Sequence, residues 1–443
     1  MPARPLRRIA LTLALGLAPA SAQAQSQAQK QEQEHTGAAC PSAAVLTQGI
    51  TSPLAHVRYL ADDALEGRRA GSTGERCAGD YIAHEFRRLG LVPAGDDGTF
   101  FQEVPLASAV NPHAPSGTGR NVVAILQGSD SALRGEAVVI GAHYDHLGWG
   151  GIGSLAPDER AVHNGADDNA SGVAVLLEVA RLISSGPRPA RSLVFIAFTG
   201  EESGLLGSAH HVANPAVPIE RTRAMLNMDM VGRLGDRPLI VNGRGTAQEW
   251  ARIIADAAEA EGIEVVTGED GYGPSDQTSF YARDVPVLHF FTNTHPDYHR
   301  PTDDWQSIDA AGLARVASMV TRLALAAADQ RTTLTLVRGA GRPPSAAGGS
   351  GGGYGAYLGS IPDFSPVERG VRITGVRAGS PAEQAGLAAG DTIIRFDATE
   401  IADIYAFTDA LRSRKPGDAV LVTVLRDGRE LPLRVVLGSR GGG

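Results

Sequence analysis

The stretch SLVFIAFTGEESGLLGS, residues 192–208, carries an apolar, strand-like segment straight into two adjacent glutamates, Glu201 and Glu202. Like charges directly after a buried strand repel, and each demands water or a partner. The pair reads either as an acidic helix start that complements the helix dipole or as two carboxylates with separate tasks. Runs of the same kind recur at NVVAILQG (121–128), AVVIGAHYD (137–145), AMLNMDMVG (224–232), PLIVNG (238–243) and VPVLHFF (285–291). Helical patterns fit 73–89, 170–185, 203–213, 246–262 and 308–328. In the first of these Ala78, Tyr81, Ile82, Phe86 and Leu89 share a face, and Gly90 follows as a stop. Strand runs alternating with helices predict an α/β domain over 45–335, with a mostly parallel central sheet flanked by helices.

In such sheets ligands bind outside the carboxyl ends of the strands, and five segments place Asp, Glu or His at that edge. AVVIGA runs into His143, Tyr144 and Asp145, and the loop HNGADDNASG brings Asp167 and Asp168 to the start of a helix. Glu201 and Glu202 follow LVFIAFTG, Asp229 follows AMLNM, and NTHPDYHRPTDDW after VLHFF holds His295 and His299. Each has a plain structural reading. An Asp before a helix is commonly a cap, His289 inside VLHFF reads as a satisfied core histidine, and His210-His211 reads as exposed helix surface. Taken together, two imidazoles and several carboxylates with no cysteine ligand suit zinc in a catalytic setting. The carboxylates exceed what one zinc needs, which favours two metals sharing a bridging carboxylate.

The flanks have their own signatures. Arg4, Arg7 and Arg8 precede the apolar IALTLALGLAPA and the small residues up to Ala22-Gln23-Ala24, the order of a secretory signal peptide over 1–24. Its removal makes the whole-chain charge of −9 more negative by three. No basic footprint for nucleic acid is present. No later run reaches about 18 apolar residues, so no membrane span is expected. Residues 25–39 are polar and of low complexity, and a disordered leader is expected over 25–44. Cys40 and Cys77 pair in an oxidising compartment or stand as unrelated thiols. A Gly/Ser/Pro linker at 336–353 leads to a small α+β domain at 354–438, with strands at VRITGVRAG, DTIIRFDA, AVLVTVLRDG and ELPLRVVLG and helices at SPAEQAG and YAFTDALRSR.

The ordered set HYDHLG, GADDNASG, FTGEESGLLGS, NMDMVGR and YHRPTDD resembles the M28 family of co-catalytic zinc aminopeptidases. The segment LEGRRAGSTGERCAGDYIAHEFRRLGLVPAG resembles that family's N-terminal signature, so the likeness covers about 55–330. It implies a zinc exopeptidase-like fold holding two Zn2+ per chain. His143 and Asp229 would hold one ion, Glu202 and His299 the other, and Asp168 would bridge them. It further implies Glu201 as general base, Asp145 as the carboxylate orienting His143, and Tyr272, in GYGPSDQTSF, as a donor to the oxyanion. The activity so implied is a secreted, periplasmic or extracellular aminopeptidase acting on peptide or protein N-termini. The alternatives are a glutaminyl cyclase-like enzyme with one zinc and an inactive scaffold. The short run from Gly90 to Asp145 leaves no room for the lid domain of some relatives, which implies an open cleft. AYLGSIPDF, GVRITGVRAGSPAEQAGLAAGDTIIRFDATEI and LVTVLRDGRELPLRVVLG resemble a PDZ domain of the bacterial protease-associated type. Tyr357, Leu358, Gly359 and Ser360 would then be the loop that receives a peptide C-terminus.

Overall fold

The structure, a computed structural model, describes residues 40–106, 117–338 apart from 152, 157 and 158, and 356–438 apart from 363–366, 368, 377–378, 403–405, 408–409 and 412. The expected signal peptide, nearly all of the leader and most of the linker lie outside the described residues.

Among the described residues the larger domain holds a nine-stranded sheet. Its strands are β1 (Val92–Pro93), β2 (Phe101–Pro105), β3 (Thr118–Leu126), β4 (Ala137–His143), β5 (Ser192–Phe198), β6 (Thr222–Met228), β7 (Leu239–Asn242), β8 (Val265–Thr267) and β9 (Val287–Phe291). They lie in the order β1-β3-β5-β4-β6-β9-β7-β8, with β2 paired to β3. The central run β5-β4-β6-β9 is parallel, and β3 and β7 join it antiparallel. Every residue of β4 and β5 is buried, as expected of central strands with helices on both faces. Alternation then sorts the side chains. Val138, Ile140 and Ala142 enter a core with Leu176 and Val320, whereas Ala137 and Val139 enter one with Val212 and Phe280.

The helices flank this sheet at Thr73–Arg88, Gly172–Ser184, Leu206–Ala213, Trp250–Glu261, Gln277–Tyr281 and Ala310–Asp329. Ser72 caps the first, accepting the N–H of Glu75 at 3.1 Å. The Glu75 carboxylate turns inward and accepts from Gly71 N, Arg120 N, Tyr144 Oη and Thr199 Oγ1 at 2.8–3.2 Å, tying this helix to three strand segments. Ala310–Asp329 is long and apolar enough in composition to cross a membrane, yet half of it is buried and it packs Leu313, Val316, Val320 and Leu323 into the core. Cys40 and Cys77 form a disulfide, Cα atoms 5.4 Å apart, which pins the segment before residue 43 to the helix Thr73–Arg88.

The smaller domain is a six-stranded antiparallel sheet, again among the described residues. It comprises β10 (Ser360–Pro362), β11 (Val371–Val376), β12 (Thr392–Phe396), β13 (Thr399–Glu400), β14 (Ala419–Arg426) and β15 (Arg429–Val436). Leu358, Ile373, Ile393, Phe396, Val422 and Val424 make its core. Ser380 caps the short helix Pro381–Gln384, and the helix expected at 405–414 falls partly outside the described residues.

Candidate metal centre

Four parallel strands end on one edge of the sheet, and that edge collects the acids and imidazoles. His143 closes β4, Glu201 and Glu202 sit in the turn after β5, Asp229 follows β6 directly, and His299 lies in the loop after β9. Asp168 arrives on the loop ahead of the helix Gly172–Ser184, at a cis Asp168–Asn169 peptide. Asn169 ties this loop to the end of β6: its Nδ2 donates to Met228 O at 3.0 Å, and its Oδ1 accepts from Gly172 N and Met230 N at 2.9 and 3.2 Å.

The geometry is paired. Asp168 Oδ1 lies 3.3 Å from His143 Nε2, and Asp168 Oδ2 lies 3.0 Å from His299 Nε2. His143 Nε2 is also 3.4 Å from Asp229 Oδ1, and His299 Nε2 is 3.3 Å from Glu202 Oε2. One carboxylate thus faces two imidazoles, and each imidazole has a second carboxylate of its own. The five ligand candidates read from the sequence come together in this cluster.

The ring nitrogens on the far side decide what the cluster is for. His143 Nδ1 lies 3.2 Å from Asp145 O, and His299 Nδ1 lies 2.9 Å from Gly153 O. A carbonyl only accepts, so each Nδ1 carries the proton, and the neutral ring turns an Nε2 lone pair toward carboxylate oxygens. Lone pair against carboxylate is repulsive unless a cation stands between them, and this is how metal-ligating histidines are held. The charges agree. Burial pushes the His143 imidazole down, but the carboxylates of Glu201 and Asp229 overcome it and raise it well above its ordinary value. Burial pushes Glu202 up, and His299 outweighs it, bringing the carboxyl down to about 2. The residues present therefore fit metal ions, Asp168 serving both positions.

Glu201 stands apart from these pairs. Its backbone N–H donates to Asp145 Oδ1 at 3.1 Å, and Glu201 lines the same cavity as His143, Asp229 and His299. Burial, aided by Glu202 and Asp229, raises its carboxyl well above the ordinary range. Such a proton-holding carboxylate beside a ligand set is what general acid–base work requires.

Residues 121–324 match the family model described as peptidase family M28, and residues 359–437 match that of the PDZ domain. The chain carries an M28 peptidase domain. Aminopeptidase YwaD of Bacillus subtilis (strain 168) is 29% identical over 214 residues, 46% of this chain and 44% of that protein, so the chain spans under half the length of that curated relative. Among solved structures, the zinc aminopeptidase BSAP of Bacillus subtilis superposes with a TM-score of 0.50 at 19% identity, over 67% of this chain and 98% of that one. The glutaminyl cyclase of Porphyromonas gingivalis gives 0.51 at 21%, over 65% and 98%. At such identities these two show a shared fold.

Within the M28 domain several residues depart from the sequence reading. The Asp145 carboxylate lies 3.8 Å from His143 Nδ1, and it is the Asp145 backbone oxygen that meets the ring, while the carboxylate steadies the turn at Glu201. Its burial raises that carboxyl to about 8. Tyr272 lines the cavity, but its ring packs edge-on against Tyr281, centroids 4.8 Å apart. His295, outside the expected ligand set, lies with its Nε2 3.2 Å from Asp167 Oδ2. His289 is buried, has no partner for Nε2 among the described residues and lines the cavity, so it is not a satisfied core group. His211 is 2% exposed, not surface, because the helix Leu206–Ala213 turns it onto Phe198 and Phe280 while Gln102 Oε1 meets its Nδ1 at 3.0 Å.

Three further residues carry the cluster unannounced. His146 Nδ1 lies 2.8 Å from Glu202 Oε1, which places a third imidazole against the Glu202–His299 side. Tyr298 stacks on His299 with ring centroids 3.9 Å apart. Arg68, wholly buried, donates Nε to Tyr144 O at 2.8 Å, Nη1 to Asn164 O at 2.7 Å and to Leu60 O, and Nη2 to Gly165 O at 3.0 Å. The quoted HYDHLG contains His146, YHRPTDD contains Tyr298 directly before His299, and LEGRRAGSTG contains Arg68, whose backbone-carbonyl partners leave no sequence trace of their own.

Proposed function

We propose that the chain is an exported zinc-dependent aminopeptidase that hydrolyses the peptide bond after an N-terminal residue. The observation that carries this reading is the placement of Asp168, its two oxygens turned to two different imidazoles, with Glu201 beside the cluster but in neither pair. His143 and Asp229 would hold one zinc, His299 and Glu202 a second, and Asp168 both. Bound zinc supplies Lewis-acid polarisation of the scissile carbonyl and a lowered pKa for water.

The chain's own groups do the rest. Glu201 takes a proton from the attacking water and returns it to the leaving amine, a task suited to a carboxyl whose affinity for protons is raised. Asp145 holds the Glu201 backbone, and the Asp145 and Gly153 carbonyls hold the two ligand imidazoles in register. Met230, Tyr272 and Phe291 give the cavity apolar surface against which a substrate side chain is desolvated. In the PDZ domain Gly359 has φ +86, and a Cβ there would meet Ser380 Cβ at 2.3 Å, so the Tyr357–Ser360 loop needs glycine. In this reading the loop takes a peptide C-terminus beside β10.

Chromogenic aminoacyl substrates, N-blocked controls and a peptide with N-terminal glutamine, each with and without a chelator, test the reading in purified full-length protein. Chelator-sensitive release of free N-terminal residues, at close to two zincs per chain, is the expected result. Cyclisation of the glutamine peptide without hydrolysis, at one zinc per chain, would instead make the chain a glutaminyl cyclase, whose fold it shares.

A further inference from the structure

The cavity above the ligand cluster is not built by the peptidase domain alone. It has a volume of about 460 Å³, and Val367, Gly370, Val371 and Ala402 of the PDZ domain line it together with His143 and Glu201. That size suits a few residues of peptide rather than a folded surface. The PDZ segments are tied to one another within their own domain. Gly370 N donates to Ala402 O at 3.0 Å, joining the two segments, and Val371, 3% exposed, opens β11 opposite Ile393. Gly370 itself has φ +91, and a Cβ there would meet Ile393 O at 2.5 Å. The loop Tyr357–Ser360 is not part of this lining, so any C-terminal peptide it takes uses another part of the domain.

We propose that the PDZ domain supplies one wall of the substrate cavity and that Val367 and Ala402 thereby select the substrate. The class selected is a flexible peptide end with an apolar side chain near the scissile bond, packed between Met230, Tyr272 and Phe291 on one domain and Val367, Val371 and Ala402 on the other. An N-terminus held against a folded body does not reach the cluster, because the second wall stands where that body would be. The proposal rests on the peptidase reading above for its substrate, but not for the position of the wall.

Two experiments on the full chain separate these points. Ala402→Trp should lower kcat/KM for apolar pentapeptides by about tenfold or more, mostly through KM, relative to a single-residue chromogenic substrate. Val436→Trp, on an exposed part of β15, serves as the control that leaves the ratio alone. An unchanged ratio in Ala402→Trp overturns the selection. Independently of turnover, Thr267→Cys combined with Ala402→Cys should be joined within one chain by a short bis-maleimide, since both positions line the cavity and the native cysteines are held in their disulfide. Failure to cross-link overturns the wall. A cross-link in a protein whose wild type hydrolyses nothing supports the wall and overturns the peptidase reading.

Discussion

The Asp303 carboxylate accepts the backbone N–H of Asp168 at 3.0 Å, through the same oxygen, Oδ2, that accepts the N–H of Asp167 at 2.9 Å. Its other oxygen is held by Arg233 Nη2 at 2.8 Å, and Arg233 Nη1 reaches Asp297 at 2.7 Å. The residue that faces both ligand imidazoles is therefore set in place by a buried ion pair it does not itself touch with its side chain.

Asp303→Asn should cost about 2–4 kcal/mol of stability, because an amide cannot accept the two N–H groups and pair with Arg233 as a carboxylate does, leaving buried donors unmet. Bound zinc should fall with it, since Asp168 loses its anchor. Thermal denaturation and metal analysis of the purified variant check this. A wild-type melting temperature together with wild-type metal content would show that Asp303 positions nothing.

Glu201→Gln separates proton transfer from metal binding. Turnover should drop by roughly 10²–10⁴-fold, the usual contribution of a positioned acid–base group, while zinc content stays at the wild-type value. Survival of turnover would reassign the base.

Glu202→Ala should instead lower zinc content, and the same logic governs chelation. Asp168, Glu202 and Asp229 are crowded around two imidazoles, so removing cations restores the repulsion among them. The chelated protein should melt lower than the loaded one, by an amount that grows with the zinc concentration used for reloading. Calorimetry with and without chelator reads this whatever the activity. Equal melting temperatures would remove the case for a resident metal.

A pH effect should come from a buried histidine outside the ligand cluster. Burial pushes the His56 imidazole from 6.5 down to about 4 against the pull of Glu85 and Glu178, and its Nδ1 meets Tyr81 Oη at 2.7 Å. Below 6.5 the unfolded chain takes up a proton that the folded chain refuses, so this contribution is fully present above 6.5 and drains away as pH falls toward 4. The shift corresponds to roughly 3 kcal/mol. His56→Gln should therefore lose less melting temperature than wild type between about pH 7 and pH 4.5. Parallel losses in the two proteins would show that His56 is not the group responsible.

The fold was legible because its central strands are mostly apolar and are followed by ionisable residues. His143, Asp229 and the Glu201-Glu202 pair are strand-end residues, and a short apolar run followed by a charge marks them without tertiary information. Their grouping with Asp168 and His299 followed from the order of the motifs. What stayed hidden acts across the chain. Asp303 works through backbone N–H groups far away in sequence, and the burial of His211 depends on which face of a short helix meets Phe280. The open cleft expected from the missing lid did not allow for a C-terminal domain returning to line it, because no local pattern encodes where a domain beyond a linker comes to rest.

Arg68 gives the ligand cluster a buried cation of the chain's own. Its guanidinium donates to carbonyls, and burial lowers its pKa to about 10 against the pull of Asp145, Asp168, Asp303 and Glu202. A fixed cation supplied by the chain itself thus sits beneath the acids before any ion arrives. Substituting Arg68 would thus disturb the acids of the cluster through their charge as well as through the backbone it ties down.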